Sequence, residues 1–380
     1  MNPAQSTFLD ALRGLAAQLV LIGHIHSTTH QGQTWGIGDL GVIVFFILSG
    51  FLISYSAQIK QARGGYRLPD FLRDRFFRIF VPYLPALLFV LLLDSYVFTH
   101  TNALLYLEHY NLKDFLATLL MLQQHPIGLF SDQMLGLEAF KLATFGSARP
   151  WWTVSIEWWL YVSFGLILFA PLFARLSLRY LALLALVSIV PLFNAVAGTG
   201  QGLSLIWGFM ALLAWAYTHW GEKIEGQARA FRDSGVQARL LLAVLLVTLC
   251  VLAIVRVIWI SYIETGFVFD RPRFYDFNLY VLLLLFFATI FVLLGSGKES
   301  PRRPVVKFVA DYSYSLYLIH YSLIHAFHAL GYLDGDDWGA LIACYVACNL
   351  TAMLFYLLFE RHYKYLQRLY ESRLPHGGRR

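Results

Sequence analysis

An all-α polytopic membrane protein is predicted, with ten transmembrane helices and one short helix that does not cross. Three observations carry the prediction. Hydrophobic residues make up 58% of the 380 residues and charged residues 14%, against roughly 45–50% and 25% in soluble proteins. Runs long enough to span ~30 Å of hydrocarbon fall near residues 8–28, 37–58, 76–98, 151–172, 178–196, 202–220, 238–260, 277–295, 311–330 and 338–359. Lys and Arg then gather in alternate loops, as the positive-inside rule requires. Aromatic residues at 17% exclude low-complexity disorder, and three cysteines exclude a disulfide scaffold. The net charge of +6 therefore reads as topology, with no nucleic-acid partner.

The elements follow in order. Lys60, Arg63, Arg67, Arg73 and Arg75 crowd the connection after the second span and place it, and the N-terminus, in the cytoplasm. Residues 112–124 are apolar but too short to cross, so a re-entrant or interfacial segment is expected there. With that segment not crossing, the later basic groups all fall on one side. They are Arg175 and Arg179; Lys223, Arg229 and Arg232; Lys298, Arg302, Arg303 and Lys307; and the tail from Arg361 to Arg380. The opposite side receives Asp334, Asp336 and Asp337, the uncharged loop around Gly198, and Asp270 with Arg271. Both termini are thus expected in the cytoplasm and residues 99–150 outside. A transmembrane domain over 1–360 and a basic cytoplasmic tail over 361–380 complete the expected organisation, with no internal repeat and no cleavable leader. Cys250, Cys344 and Cys348 lie in apolar stretches and read as packing residues. No metal site is expected.

Ionisable groups inside a membrane are costly and therefore mark sites. In the first span Arg13 and His24 are eleven residues apart, about 20° from a whole number of turns and ~16 Å along the axis. They share a face, with Arg13 toward the cytoplasmic end. Arg13 also suits a snorkelling anchor, and His24 a hydrogen-bonded packing residue. The fourth span buries Glu157 behind Trp151 and Trp152, at a depth where His24 is an available partner. In the ninth span Tyr317 and His320 face the same way. Arg73, Arg75 and Arg78 lead into the third span. Their guanidinium forks suit phosphate, although positive-inside topology would also place arginines there.

Five motifs in register resemble the acyltransferase-3 family of integral membrane O-acyltransferases. They are Leu9-Asp10-Ala11-Leu12-Arg13-Gly14 followed by His24; Phe45-Phe46-Ile47-Leu48-Ser49-Gly50-Phe51-Leu52-Ile53; Arg75-Phe76-Phe77-Arg78-Ile79 with Pro82-Tyr83; Trp152 through Glu157 to Tyr161; and Ser313-Tyr314-Ser315-Leu316-Tyr317-Leu318 with His320. The resemblance implies a ten-helix core that takes an acyl group, usually acetyl from acetyl-CoA on the cytoplasmic side, to a hydroxyl of a sugar or lipid-linked glycan. It implies that Arg13 and His24 are essential, that Arg75 and Arg78 help hold CoA, and that Glu157 contributes to the site. Three departures stand out. Ile43 replaces an acid common two residues before the Phe-Phe pair, Thr153 replaces a serine, and Trp158 and Trp159 replace residues that are often polar.

The expected mechanism places CoA at the cytoplasmic mouth of a cavity between helices, its phosphates meeting Arg73, Arg75, Arg78 and Arg13. His24 is general base or transient acyl carrier, and Glu157 orients and charge-stabilises it. Trp152, Ser155, Tyr161, Tyr317, His320 and Ser49 are expected along the cavity. The partners are acyl-CoA, a glycan or lipid-linked saccharide and the bilayer, in a bacterial inner membrane; no oligomeric state follows. A proton-coupled glycan or lipid exporter, with His24, Glu157 and His320 as relay, is the rival reading.

Overall fold

A computed structural model describes residues 1–30, 36–123, 125–126, 142–170, 177–197, 200, 202–259, 277–297, 303–335 and 337–373. Arg175, Gly198, Asp270, Arg271, Lys298, Arg302, Asp336 and residues 374–380, which enter the loop-charge argument, lie outside them. Among the described residues every regular element is helical. In chain order these are α1 Pro3–Thr29, α2 Ile37–Ala62, α3 Leu68–His100, α4 Leu112–Leu119, α5 Trp152–Leu168, α6 Leu178–Val196 and α7 Leu203–Asp233, then α8 Val236–Trp259, α9 Phe277–Gly295, α10 Pro304–Asp311, α11 Ser313–Ala329, α12 Trp338–Leu358 and α13 Tyr363–Arg373.

Seven of the ten expected spans are helices long and apolar enough to cross a bilayer: α1, α2, α3, α6, α8, α9 and α12. The other three are α5 and α11, of 17 residues each, and α7, of 31 residues with a charged C-terminal third. Seventeen residues rise ~26 Å, at the short end of what spans hydrocarbon. The segment expected not to cross holds α4, eight residues long and hence only ~12 Å. Several helices extend past their apolar windows because capping, which hydropathy does not register, sets their ends. Asn2 accepts the backbone N–H of Gln5 while the Gln5 side chain accepts that of Asn2, which starts α1 at Pro3. Arg73 and Arg75, expected in a connection, lie in the first turns of α3. The ninth expected span opens just after a break: α10 ends at Asp311, and a separate helix begins at Ser313.

The chain forms two compact units. The first comprises Met1–Gly64 and Asn194–Ser313, and its helices approach through glycines. A Cβ on Gly41 would sit 2.6 Å from the Ala16 carbonyl oxygen, and one on Gly23 2.8 Å from the Gly38 nitrogen. Small residues at the α1–α2 crossing thus let the two backbones meet, a common way to join helices in lipid. A Cβ on Gly50 would stand 2.5 Å from the Trp207 carbonyl oxygen, so the Ser49-Gly50 pair is where α2 and α7 touch.

The second unit comprises Gly65–Phe193 and Tyr314–Arg380. Here α3 packs on α5, where Gly165 leaves room for the Phe71 ring. Residues 363–373 of the expected basic tail form α13, docked along α3 by Gln367 to Asp74 at 2.7 Å and Arg73 to Glu371 at 3.1 Å. The segment between α3 and α5 is fastened back onto α3. Asp94, fully buried, accepts both the backbone N–H of Ser147 at 2.7 Å and its hydroxyl at 2.6 Å.

Candidate functional site

Helix α1 of the first unit carries Arg13 and His24 on one continuous run, as expected. Arg13 pairs with Asp10 at 3.7 Å, and His24 is half-buried, its carbonyl accepting the Ser27 hydroxyl at 3.1 Å. His26 stacks on His30, ring centroids 4.2 Å apart. Ser49 accepts the indole N–H of Trp207 at 3.1 Å. Beside a glycine with no room for a side chain, this contact serves the α2–α7 junction.

The remaining expected residues belong to the second unit, and part of them lie along α11. Tyr314, Tyr317, Tyr321 and His325 recur at spacings of three and four and so share one helix face. Arg78 lies at one end of that face, its guanidinium over the Tyr314 and Tyr363 rings at 5.8 and 5.2 Å. It donates to Glu360 Oε1 at 2.5 Å. Glu360, 1% exposed, takes the backbone N–H and hydroxyl of Ser315 on its other oxygen. Next along the face, Glu157 stands close enough to Tyr314 and Tyr317 to act on both electrostatically. The hydroxyls of Tyr317 and Thr153 are 2.6 Å apart, and Tyr317 also donates to the Pro150 carbonyl at 2.8 Å. The threonine that departs from the family serine therefore keeps a hydroxyl that is in use. Beyond it the Trp151 indole donates to the Leu318 carbonyl at 2.8 Å.

Ser155 and Trp159 both donate to the Met121 carbonyl at 2.7 Å. Met121 turns that carbonyl toward them with a left-handed φ of 58°. Ser155 is fully buried by this contact, while on the same helix Trp152 is half-buried and Tyr161 buried. His320 is buried; its Nδ1 meets the Leu316 and Tyr317 carbonyls at 3.0 and 2.9 Å. Carbonyls only accept, so in the neutral ring the proton sits on Nδ1. Among the described residues no group of three or more His, Cys, Asp or Glu side chains is placed to hold a metal ion.

The three arginines of α3 differ in their partners. Arg73 is shared between Asp70 at 3.3 Å and Glu371 at 3.1 Å, and Arg78 is committed to Glu360. Arg75 lies over the Phe71 ring at 5.9 Å and, among the described residues, pairs with no carboxylate; its Nε is buried without a hydrogen-bond partner. Arg78→Ala is therefore expected to act first on stability. It strands the Glu360 carboxylate in the interior, a change that typically costs about 3–5 kcal/mol. Thermal unfolding in detergent should show a lower midpoint for Arg78→Ala, restored in part by Arg78→Ala with Glu360→Gln. An unchanged midpoint would show that the pair is not structural.

Sequence reasoning did not single out Glu360 or Tyr314, which the structure places against Arg78. Tyr314 was legible, since it lies three residues before Tyr317 on the same face. Glu360 carried a weaker signal, an acid in an otherwise basic segment.

One comparison with known proteins names a family. The acyltransferase-3 family model, described as an acyltransferase domain, matches residues 6–359. The chain is also similar to "Protein 2 in picA locus" of Rhizobium radiobacter, 33% identical over 85 residues. That match covers 22% of this chain and 44% of the relative, so the chain spans less than half of that protein's length. No solved structure matches. With all five motifs inside a match that runs nearly end to end, the chain belongs to the acyltransferase-3 family of integral membrane acyltransferases.

Proposed function

We propose that the protein moves an acyl group, acetyl in the first instance, from acyl-CoA on the cytoplasmic side to a hydroxyl of a surface glycan or lipid-linked saccharide. The family match over residues 6–359 is the observation that carries this reading. In it the chain crosses a bacterial inner membrane ten times with both termini cytoplasmic, α5, α7 and α11 adding to the seven longer apolar helices. Arg75, the one arginine of its cluster without a carboxylate partner among the described residues, receives a phosphate of the donor, with Arg73 and Arg78 beside it. His24 takes the proton of the acceptor hydroxyl as its oxygen attacks the thioester carbon. The tetrahedral intermediate then expels the CoA thiolate, which recovers that proton from the imidazolium. Glu157 supplies the negative charge that stabilises the imidazolium, and Arg13 holds the donor from α1.

Turnover of acetyl-CoA by the purified protein, read as release of free CoA thiol in the presence of cell-envelope glycan, tests the reading. Acceptor-dependent thiol release is expected. Proton-coupled movement of glycan into vesicles without thiol release would favour an exporter and overturn it. A narrower expectation concerns the donor. Arg75→Ala should weaken acetyl-CoA binding by calorimetry at least tenfold, and Arg75→Lys should recover only part, because an ammonium cannot form the bidentate fork. Full recovery by Lys would leave Arg75 a topological charge only.

A further inference from the structure

Helix α13 lies on α3 through side chains at its surface. No residue of α13 is buried. Gln367 donates to Asp74 at 2.7 Å, Glu371 pairs with Arg73 at 3.1 Å, and the rings of Tyr370 and Phe77 stand 5.7 Å apart. The Gln367 amide also donates to Glu371 at 3.1 Å, which joins the two polar contacts into one latch. Both members of the ion pair are open to water, Arg73 at 22% and Glu371 at 38% exposure, and ion pairs of that kind are weak. The other end of the segment is pinned. Glu360, buried in the turn Glu360–His362 that precedes α13, holds Arg78, and Tyr363 at the start of α13 lies under the same guanidinium at 5.2 Å. One end of α13 is therefore a fixed pivot, and the other is held by partly exposed polar groups.

The latch occupies a group that a phosphate would contest. Glu371 is the single acid in α13, a helix that also carries Lys364, Arg368 and Arg373, and it is set on the arginine segment of α3. A carboxylate and a phosphate both take a guanidinium through its fork, so Glu371 fills on Arg73 the place of a phosphate group. Arg73 keeps Asp70 at 3.3 Å as a second partner. Asp70 in turn accepts the Arg67 backbone N–H at 3.0 Å, so this pair stays within α3 and does not move with α13. Arg75 is two residues on, about 200° round the helix from Arg73, and is no part of the latch.

We propose that α13 is an autoinhibitory strap, pivoting at Glu360–Tyr363, whose Glu371 must leave Arg73 before acetyl-CoA is fully bound. The identity of the ligand rests on the acyl-donor reading above; the strap itself does not. One phosphate group meets Arg75 while the latch is shut. A second then displaces Glu371 and lifts the far end of α13 off α3, while Glu360 keeps its hold on Arg78. The coupling is reciprocal: a ligand that takes Arg73 opens the strap, and a change that weakens the latch tightens binding. A carboxylate that only docked a helix would leave α13 in place when the ligand binds.

The test uses the full-length protein in an uncharged detergent, with acetyl-CoA and inorganic pyrophosphate as probes and potassium chloride of equal ionic strength as control. Glu371→Gln should bind acetyl-CoA about two- to fivefold more tightly by calorimetry, the worth of an exposed ion pair. Loss of a carboxylate also removes local negative charge, so two further measurements separate release of the strap from charge alone. In the unmutated protein, acetyl-CoA should speed hydrogen exchange across residues 363–373. Asp74→Cys with Gln367→Cys, joined by a reducible thiol cross-linker, should bind acetyl-CoA about fivefold more weakly than the same variant after reduction. The strap is overturned by a Glu371→Gln affinity at or below that of the unmutated protein, by cross-linked and reduced forms that bind equally, or by exchange across 363–373 that the probes speed no more than the salt does. If acetyl-CoA binds neither the unmutated protein nor Glu371→Gln while pyrophosphate still speeds that exchange, the strap stands and the acyl-donor reading falls.

Discussion

His24→Ala is expected to reduce acyl transfer by about 10²–10⁴-fold, the usual range for removing a general base, while acetyl-CoA still binds. A histidine is the side chain whose ordinary proton exchange falls nearest physiological pH, and the helix that carries His24 is fixed on both flanks. Gly23, one residue before it, closes on Gly38 of α2. Gly14, one residue after Arg13, faces Val309, where an added Cβ would come within 2.9 Å. Alanine at 24 adds no bulk to that packing, and an unchanged thermal midpoint in detergent would show that a loss of turnover reports chemistry and not collapse of α1. Two roles stay distinguishable in the same experiment. As a base, His24 leaves no covalent trace. As an acyl carrier it would hold a labelled acetyl group after incubation with donor alone, detectable by intact mass. Activity within a few fold of the unmutated protein would exclude both roles.

The polar face of α1 was legible because helical periodicity alone puts Arg13 and His24 on one side, and both indeed fall within a single helix. The brevity of the 112–124 segment was legible for the same kind of reason, since length decides what can cross. The helix from Trp152 was equally plain, although it is shorter than the apolar run. Pairings distant in the chain were not legible. Arg78 and Glu360 are 282 positions apart, and no local rule connects an arginine in the third span to an acid after the last. The Met121 carbonyl, which satisfies Ser155 and Trp159, depends on a left-handed backbone at a residue that gives no sequence hint of one. The bond between the Tyr106 and Tyr321 hydroxyls is of this kind too, since the two residues are 215 positions apart. Periodicity therefore located the faces, and long-range hydrogen bonds decided which residues on them are committed to structure.

That division sharpens what should happen at Glu157. Its neighbours Thr153, Ser155 and Trp159 on α5 each have a structural partner, at Tyr317 or at the Met121 carbonyl, so the helix stays in register when position 157 changes. Glu157→Gln keeps the size and a hydrogen bond but removes the charge that would stabilise an imidazolium in the transition state. Turnover should fall by orders of magnitude at saturating acetyl-CoA, with donor affinity nearly unchanged, because the donor phosphate is assigned to Arg75. Glu157→Asp keeps the charge but is one methylene shorter, and should fall between. A protonated Glu157, serving only as a hydrogen-bond partner on a tyrosine-rich face, predicts the reverse ranking, with Gln nearly silent and Asp the more damaging. A double variant adds a second reading. If His24 and Glu157 work on the same proton, His24→Ala with Glu157→Gln should be scarcely worse than His24→Ala alone, as residues that act as a unit are strongly non-additive. Losses that multiply would show two independent contributions and confine Glu157 to the tyrosine face of α11, and a fully active Gln variant would remove it from the chemistry and leave His24 to act without it.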